Sequence, residues 1–318
     1  MTVFYDVFNG DADGICALHQ LRLAAPRESV LVTGVKRDIE LVGRAAAHAG
    51  DEVTVLDISL ARNAAALNEL LARGASCLYF DHHYAGEIPS HASLTTYIDT
   101  APDVCTSLIV DRYLEGGQRP WAVVAAFGDN LGAAARAAAA PLGLNDIQLG
   151  QLQALGECMN YNAYGDSVED LNYHPADLYE ALAHYTDPLQ FIIGEPVFEI
   201  LRASRADDLF RASETKPVSQ SAGTAIYVFP DVAWSRRVHG TFGNELATAH
   251  PARAHAVLTR KGGGYVVSVR APLADPRGAD ELCREFPGGG GRQGAAGIDE
   301  LPESEFERFD AAFRRAFE

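Results

Sequence analysis

The chain is poor in several things that would place it in a familiar class. Cysteine occurs five times in 318 residues, as Cys16, Cys77, Cys105, Cys158 and Cys283. The number is odd, the spacing is wide and no C-x-x-C occurs, which excludes a disulfide framework and a structural zinc site. No apolar run approaches the roughly 18 residues that a membrane helix needs, and the first residues carry no basic, signal-like segment. These absences lead us to expect a cytoplasmic protein with no membrane partner. Positive charge is also scarce: 26 Lys and Arg against 43 Asp and Glu give a net charge of -17. All of that excess lies early. Residues 1–200 hold 10 basic and 27 acidic side chains, whereas residues 201–318 hold 16 of each. Long nucleic acid is gripped mainly by Lys and Arg at its phosphates, so it is not an expected partner. Bound cations, or a short anionic substrate met by a few arginines in the second part, suit this charge pattern better.

What is present reads as alternating α/β structure. Strands are predicted over Val3–Phe8, Ser29–Val35, Glu52–Asp57, Ser76–Asp81 and Leu94–Ile98. Helical spacing covers Asp13–Ala25, Asp38–Ala49 and Leu60–Arg73, two of these stretches ending near Gly50 and Gly74. Strand–helix alternation of this length implies a parallel sheet with right-handed crossovers. Further helices are predicted over Val104–Leu114, Trp121–Ala126, Asn145–Asn160 and Pro175–Thr186, and another over Ile192–Ala212. Beyond the turn-rich "SETKPVSQS" come strands at Thr224–Phe229, Ala254–Thr259 and Tyr265–Val269. The glycine-rich "FPGGGGRQGAAG" reads as a tight loop, and "SEFERFDAAFRRAFE" as an amphipathic helix.

Acidic and histidine residues fall at successive strand ends. Asp11 and Asp13 follow the first strand, Asp57 closes "VTVLD", Asp81, His82 and His83 close "CLYFDHH", and Asp129 follows the apolar "WAVVAAFGD". Sites in open parallel sheets form at the carboxyl ends of strands. Several carboxylates gathered there repel one another unless positive charge lies between them. Oxygen ligands with one or two imidazoles favour manganese or magnesium over zinc, and the number of groups suits two cations.

With these motifs in hand, the chain resembles the DHH phosphoesterase family: "NGDADGI" for the first motif, Asp57 for the second, "DHH" at 81–83 for the third and "FGDN" for the fourth. The second part is similar to the DHH-associated domain through "GNELA" at 243–247, "VSVR" at 267–270 and "GGGGRQGAAG" at 288–297. The resemblance implies an α/β fold: a parallel-sheet N-terminal DHH domain with flanking helices over 1–190, a helical linker over 191–215, and a smaller α/β substrate-binding domain over 216–318. It implies two Mn2+ per chain, with Mg2+ as the alternative ion. Asp57 would bridge them, Asp11 would hold one, and Asp13, His82 and Asp129 would hold the other. His83 would face the substrate phosphate, with Asp81 beside it in the catalytic set. Ser268, Arg270, Gly289, Gly290, Gly291 and Arg292 would bind substrate, the glycines through backbone N–H groups and the arginines through forked hydrogen bonds.

Two positions depart from the family pattern. Val7 stands where many members place a histidine ligand, and Asn9 is the nearest residue to compensate through its carbonyl. Arg292 stands where the glycine run often continues into histidine. The expected activity is hydrolysis of a phosphodiester in short oligonucleotides or linear dinucleotides, through a water activated by two metals. Cyclic dinucleotides, nucleoside bisphosphates and polyphosphate stay open as substrates. A nucleotide-sensing module on a degenerate metal site is the rival from another class. Tyr161, Tyr164 and Tyr173 are read as packing residues first and base-stacking residues second.

Overall fold

The computed structural model describes residues 2–318. The chain divides into two compact units, one running to Ser204 and the other covering Arg205–Glu318.

The first unit is built on five strands, β1 (Phe4–Phe8), β2 (Val30–Val32), β3 (Glu52–Leu56), β4 (Ser76–Asp81) and β5 (Leu94–Ile98). All are parallel, in the order β2-β1-β3-β4-β5. Helix α1 (Ala12–Ala24) follows β1 and α2 (Leu60–Ala72) follows β3. Seven helices come after β5: α3 (Thr106–Tyr113), α4 (Arg119–Gly128), α5 (Gly132–Ala139), α6 (Asp146–Asn162), α7 (Pro175–Leu182), α8 (Pro188–Gly194) and α9 (Pro196–Glu214). Strand alternation feeds two cores. Phe8, Leu56 and Phe80 pack with α1 and the later helices on one face. Val7, Val55 and Tyr79 pack on the other face with α2 and the segment containing Leu41, Val42, Ala45 and Ala47.

That segment corrects one expectation. Asp38–Ala49 is not an α-helix, and only Val42–Arg44 forms a 3-10 turn. Asn63 of α2 pins it instead, donating from Nδ2 to the Ile39 carbonyl (2.6 Å) and accepting from the Val42 N–H (3.2 Å). The apolar spacing at 41, 42 and 45 is satisfied by burial against α2 without a regular ladder. The strands at Ser76–Asp81 and Leu94–Ile98 have the predicted bounds, and the other predicted elements of this unit are present with shifted ends. Val30–Val32 is the main loss, a strand less than half as long as expected. The stretch read as one helix from Ile192 is split: α8 stops at Gly194, and Pro196 opens α9. The short, alanine-rich α5 was not anticipated.

The second unit has a sheet in the order β10-β11-β9-β8-β7-β6. Its elements are β6 (Ser219–Gln220), β7 (Thr224–Phe229), α10 (Ala233–Ala249), β8 (Ala254–Lys261), β9 (Gly264–Arg270), α11 (Ala279–Arg284), β10 (Gly289–Arg292), β11 (Ala295–Pro302) and α12 (Phe306–Phe317). Helix α10, with Gly240 and Gly243 in its interior, escapes the periodicity. The expected glycine loop is a strand: Gly289 pairs with Ile298, Gly290 with Gly297 and Gly291 with Ala296, closing a hairpin at Gln293–Gly294. The reason is steric. A Cβ on Gly289 would lie 1.8 Å from the Cys283 carbonyl oxygen, and one on Gly291, at φ +141°, would lie 2.5 Å from Cα of Ala296.

All five cysteines are buried, and no disulfide joins them. No described helix is long and apolar enough to cross a membrane.

Two stability measurements follow. Gly289→Ala should cost about 1–3 kcal/mol in urea denaturation, because its Cβ meets fixed backbone. Gly290→Ala faces open space and should change stability by no more than about 0.5 kcal/mol. Equal effects of the two substitutions would contradict the close strand approach. The second measurement concerns His19, which is buried, donates from Nε2 to the Tyr185 carbonyl (2.8 Å) and lies edge-on to Trp121 at 4.6 Å. Burial pulls its pKa down from 6.5 to about 4. Between those values the unfolded chain takes up a proton that the folded chain refuses, so stability falls as pH falls through that window. The loss should approach roughly 3 kcal/mol below pH 4, and His19→Gln should remove this component from the pH profile of unfolding.

Candidate metal centre

The strand order reverses between β1 and β3, and in such sheets the crevice outside the carboxyl ends opens at that point. Asp11 and Asp13 leave β1 there, Asp57 leaves β3, and Asp81, His82 and His83 leave β4. Asp129 arrives from the C-terminal end of α4. All four aspartates predicted as ligands are therefore brought to one rim of the sheet.

Each carboxylate is held differently. Asp11 caps α1: its Oδ1 accepts from the N–H groups of Asp13 (2.9 Å) and Gly14 (3.1 Å). Asp13 caps α3 instead, accepting from the N–H groups of Thr106 and Ser107, both at 2.7 Å. Asp57 sits in the left-handed region at φ +59°, a strained backbone for a residue other than glycine. Its Oδ1 accepts from the Thr106 hydroxyl (3.2 Å) and lies 3.4 Å from His82 Nε2. Burial, with Asp13 and Asp11 close by, pushes the Asp57 carboxyl well above its usual range, against the opposing pull of His82. Burial also raises Asp129 to about 6, despite the lowering effect of Lys36.

His82 donates from Nδ1 to the Val104 carbonyl (3.0 Å), which turns Nε2 toward Asp57 and Asp129. Burial acts to lower its pKa, but the carboxylates around it win and raise it to about 10. His83 is oriented by Asp81, whose Oδ1 accepts from both the backbone N–H (3.1 Å) and Nδ1 (2.7 Å) of His83. The His83 ring remains 44 % exposed, with Nε2 turned away from Asp81.

Two sets of donor atoms lie within 4.8 Å of one another among the described residues: Asp13, His82 and Asp129, and Asp57, His82 and His83. His82 is common to both. Hard carboxylate oxygens around one imidazole fit a divalent cation such as Mn2+, so the residues about His82 fit the expected metal. Asp11 belongs to neither set. Its Oδ2 is taken by the ammonium of Lys36 at 2.5 Å.

Lys36 is the residue that sequence reasoning missed. Its Nζ also reaches Asn160 Oδ1 (3.0 Å) and Asp129 Oδ1 (3.4 Å) and lies 5.8 Å from the Tyr164 ring centroid. Burial would lower its pKa, yet Asp11, Tyr164 and Asp129 together hold it well above the ordinary lysine value. No local pattern announces these contacts, because the partners lie 25, 93 and 124 residues away along the chain.

Several residues of the expected site have structural partners of their own. Asp81 is completely buried, with Oδ2 accepting from the Leu60 N–H (3.3 Å), so it positions His83 and does not belong among groups that touch substrate. Asn9 does not turn its amide to an ion: Oδ1 accepts from the Asp11 N–H and Nδ2 donates to the Lys36 carbonyl, both at 3.2 Å. Arg270 is engaged inside the second unit, donating to Asn244 Oδ1 (2.6 Å), Ser268 Oγ (2.9 Å) and the Gly240 carbonyl (3.2 Å). Arg270 thus ties β9 to α10, and the Ser268 hydroxyl accepts from it. Gly289, Gly290 and Gly291 lie in an edge strand, and Arg292 at its end is exposed. Tyr161 is buried in packing, as read from the sequence.

No family model and no curated protein matches the chain. Solved structures do. A manganese-bound exonuclease RecJ matches over 98% of this chain and 89% of its own, with a TM-score of 0.63 and 18% identity. The pGpG-specific phosphodiesterase PggH from Vibrio cholerae matches over 98% and 97%, with a TM-score of 0.56 and 12% identity. An exopolyphosphatase-related protein from Bacteroides fragilis matches over 99% and 91%, with a TM-score of 0.52 and 14% identity. At these identities the likeness is one of fold: the chain shares the fold of these structures.

Proposed function

We propose that the chain is a divalent-metal-dependent phosphoesterase, with manganese as its ion, that hydrolyses a phosphodiester in short oligonucleotides or linear dinucleotides. The observation that carries this reading is the convergence of Asp13, Asp57, His82 and Asp129 on one rim, beside a histidine whose outer nitrogen is free. An ion bound by these groups would supply an activated water at neutral pH and neutralise charge on the attacked phosphate. The chain's own residues do the rest. Asp57, fixed by strained backbone and the Thr106 hydroxyl, holds its carboxylate toward His82. Asp81 fixes the His83 ring with Nδ1 inward, so that Nε2 can bind a phosphate oxygen or pass a proton to the leaving oxygen. Arg292, exposed at the end of β10, offers a guanidinium that stays charged at physiological pH and can grip a phosphate with two parallel bonds.

Substrate class is drawn from two supports. The structures of similar fold include an exonuclease and a pGpG-specific phosphodiesterase. The first unit carries few basic residues, which favours substrates with few phosphates over long strands. Val7, in place of a histidine ligand, is the observation on the side of the rival, a nucleotide sensor without turnover.

A hydrolysis screen with Mn2+ tests the reading on linear dinucleotides, longer single strands, cyclic dinucleotides and polyphosphate. Dinucleotides should be cleaved fastest, and the rate should fall as the strand lengthens, with a salt slope set by about two or three phosphate contacts. Asp57→Asn should lower kcat by roughly three orders of magnitude or more, the scale of removing a central electrostatic group. Arg292→Ala should raise KM by about one to two orders of magnitude with a smaller change in kcat, since a charged hydrogen bond is worth about 1.5–3 kcal/mol. Tight dinucleotide binding with no hydrolysis of any substrate would establish the sensor instead. Processive digestion of long strands with a steep salt slope would remove the short-substrate preference.

A further inference from the structure

Both donor sets at the strand ends run through His82, whose Nδ1 is held by the Val104 carbonyl and whose Nε2 can therefore bind one ion. Resting on the metal-centre reading above, we propose that the Lys36 ammonium takes the place of one of the two expected cations, leaving a mononuclear centre on the His82 side. Three independent features place the ammonium there.

The first is that few ligands remain for another ion while the ammonium holds Asp11. Val7, at the position where the family pattern has histidine, is fully buried among Leu41, Val42, Val55 and Ile58 and offers no donor atom. Asn9 has both ends of its amide engaged with backbone. Asp11 belongs to neither donor set, and its Oδ2 faces Lys36.

The second is the geometry of the ammonium itself. A lysine head group has three N–H donors and no acceptor. Three oxygens meet it: Asp11 Oδ2 at 2.5 Å, Asn160 Oδ1 at 3.0 Å and Asp129 Oδ1 at 3.4 Å. The ammonium therefore touches one carboxylate that has no part in the His82 sets and one that has, which is the place a second cation would fill. A divalent ion on the same Asp11 oxygen would have to lie against this fixed positive charge.

The third is that Lys36 is anchored from outside the site. Its N–H donates to the Ala163 carbonyl (2.9 Å), its carbonyl accepts from Asn9 Nδ2 (3.2 Å), and the loops on either side meet at Gly10, where a Cβ would lie 2.0 Å from the Gly34 carbonyl oxygen. The chain uses lysine only three times, at Lys36, Lys216 and Lys261, against 23 arginines. A compact ammonium at this one point is a chemical choice, because the broad planar guanidinium makes its bonds in a fork and not as a point charge.

Metal stoichiometry decides the matter without reference to turnover. The metal-stripped full-length protein is titrated with MnCl2 by calorimetry and followed by electron paramagnetic resonance. One Mn2+ per chain with a six-line mononuclear spectrum is expected at saturation. In Lys36→Ala the stoichiometry should rise toward two, and the exchange-coupled signal of neighbouring Mn2+ ions should appear. Two ions per chain with a coupled spectrum in the unmodified protein would overturn the proposal and leave the phosphoesterase reading intact. No bound Mn2+ at all would overturn both. A Lys36→Ala protein that still takes up only one ion would show that the ammonium is not what excludes the second. The measurement on the unmodified protein stands even if Lys36→Ala does not fold.

Discussion

Like charges gathered in a space that excludes water set the terms for this protein. Asp11, Asp13 and Asp57 are each nearly inaccessible to solvent, and a parallel sheet whose order reverses between β1 and β3 brings them together whether or not their charges are matched. Desolvation and mutual repulsion both oppose ionisation there. The surrounding structure answers with positive potential from four sources. The N-termini of α1 and α3 point backbone N–H groups at Asp11 and Asp13. The His82 imidazole faces Asp57 and Asp129, and the Lys36 ammonium bridges Asp11 and Asp129. Asp57 is served least well. It keeps a hydroxyl at 3.2 Å and imidazoles at 3.4 and 3.9 Å, too little to offset burial and the nearby Asp13 and Asp11, and its carboxyl is displaced far upward. A group left in that condition is one that a metal ion would relieve most.

The helices are consequently part of the site as much as of the scaffold. Asp13 belongs to α1 by sequence, yet both of its oxygens cap α3, whose first residues lie 93 and 94 positions later. The hydroxyl of Ser107 then returns to the Asp13 carbonyl at 2.9 Å. These bonds lock the start of α3 against the start of α1, and Thr106 uses the same turn to reach Asp57. One short stretch of backbone therefore fixes the spacing of two carboxylates from different strands. The same economy is seen at Asn9, which holds the Asp11 backbone with one end of its amide and the Lys36 backbone with the other.

Much of this was legible in the sequence, for definite physical reasons. Period-two apolar runs ending in aspartate mark strand ends, and strand–helix alternation turns those ends toward one rim. Asp11, Asp13, Asp57, His82 and Asp129 could thus be grouped without coordinates. The failures share a cause of another kind. Asp38–Ala49 has helical spacing but is held by a side chain from α2. Gly289–Arg292 has loop composition but becomes a strand because its glycines are the only residues that fit beneath Cys283 and against Ala296. In each case a tertiary contact overrides local preference, and nothing in the neighbouring residues foretells it.

Lys36 is the extreme instance, and it bears on how the centre works. A divalent ion and an ammonium both screen carboxylates, but they differ in what else they can do. The ion exchanges, polarises bound water and accepts several oxygens at once, while the ammonium is tethered, carries a single charge and only donates hydrogen bonds. Placing the ammonium on Asp11 therefore secures the charge balance of the fold without providing a second point of water activation. Under the one-ion proposal the chemistry would be concentrated on the His82 side, where Asp57 lies within 3.9 Å of His83 as well as 3.4 Å from His82. Binding the nucleophile and stabilising the leaving oxygen, which two cations would share, would then fall to one ion and the outward nitrogen of His83. The Asp81–His83 pair, held by a 2.7 Å hydrogen bond on a fully buried carboxylate, has the rigidity that such a division requires.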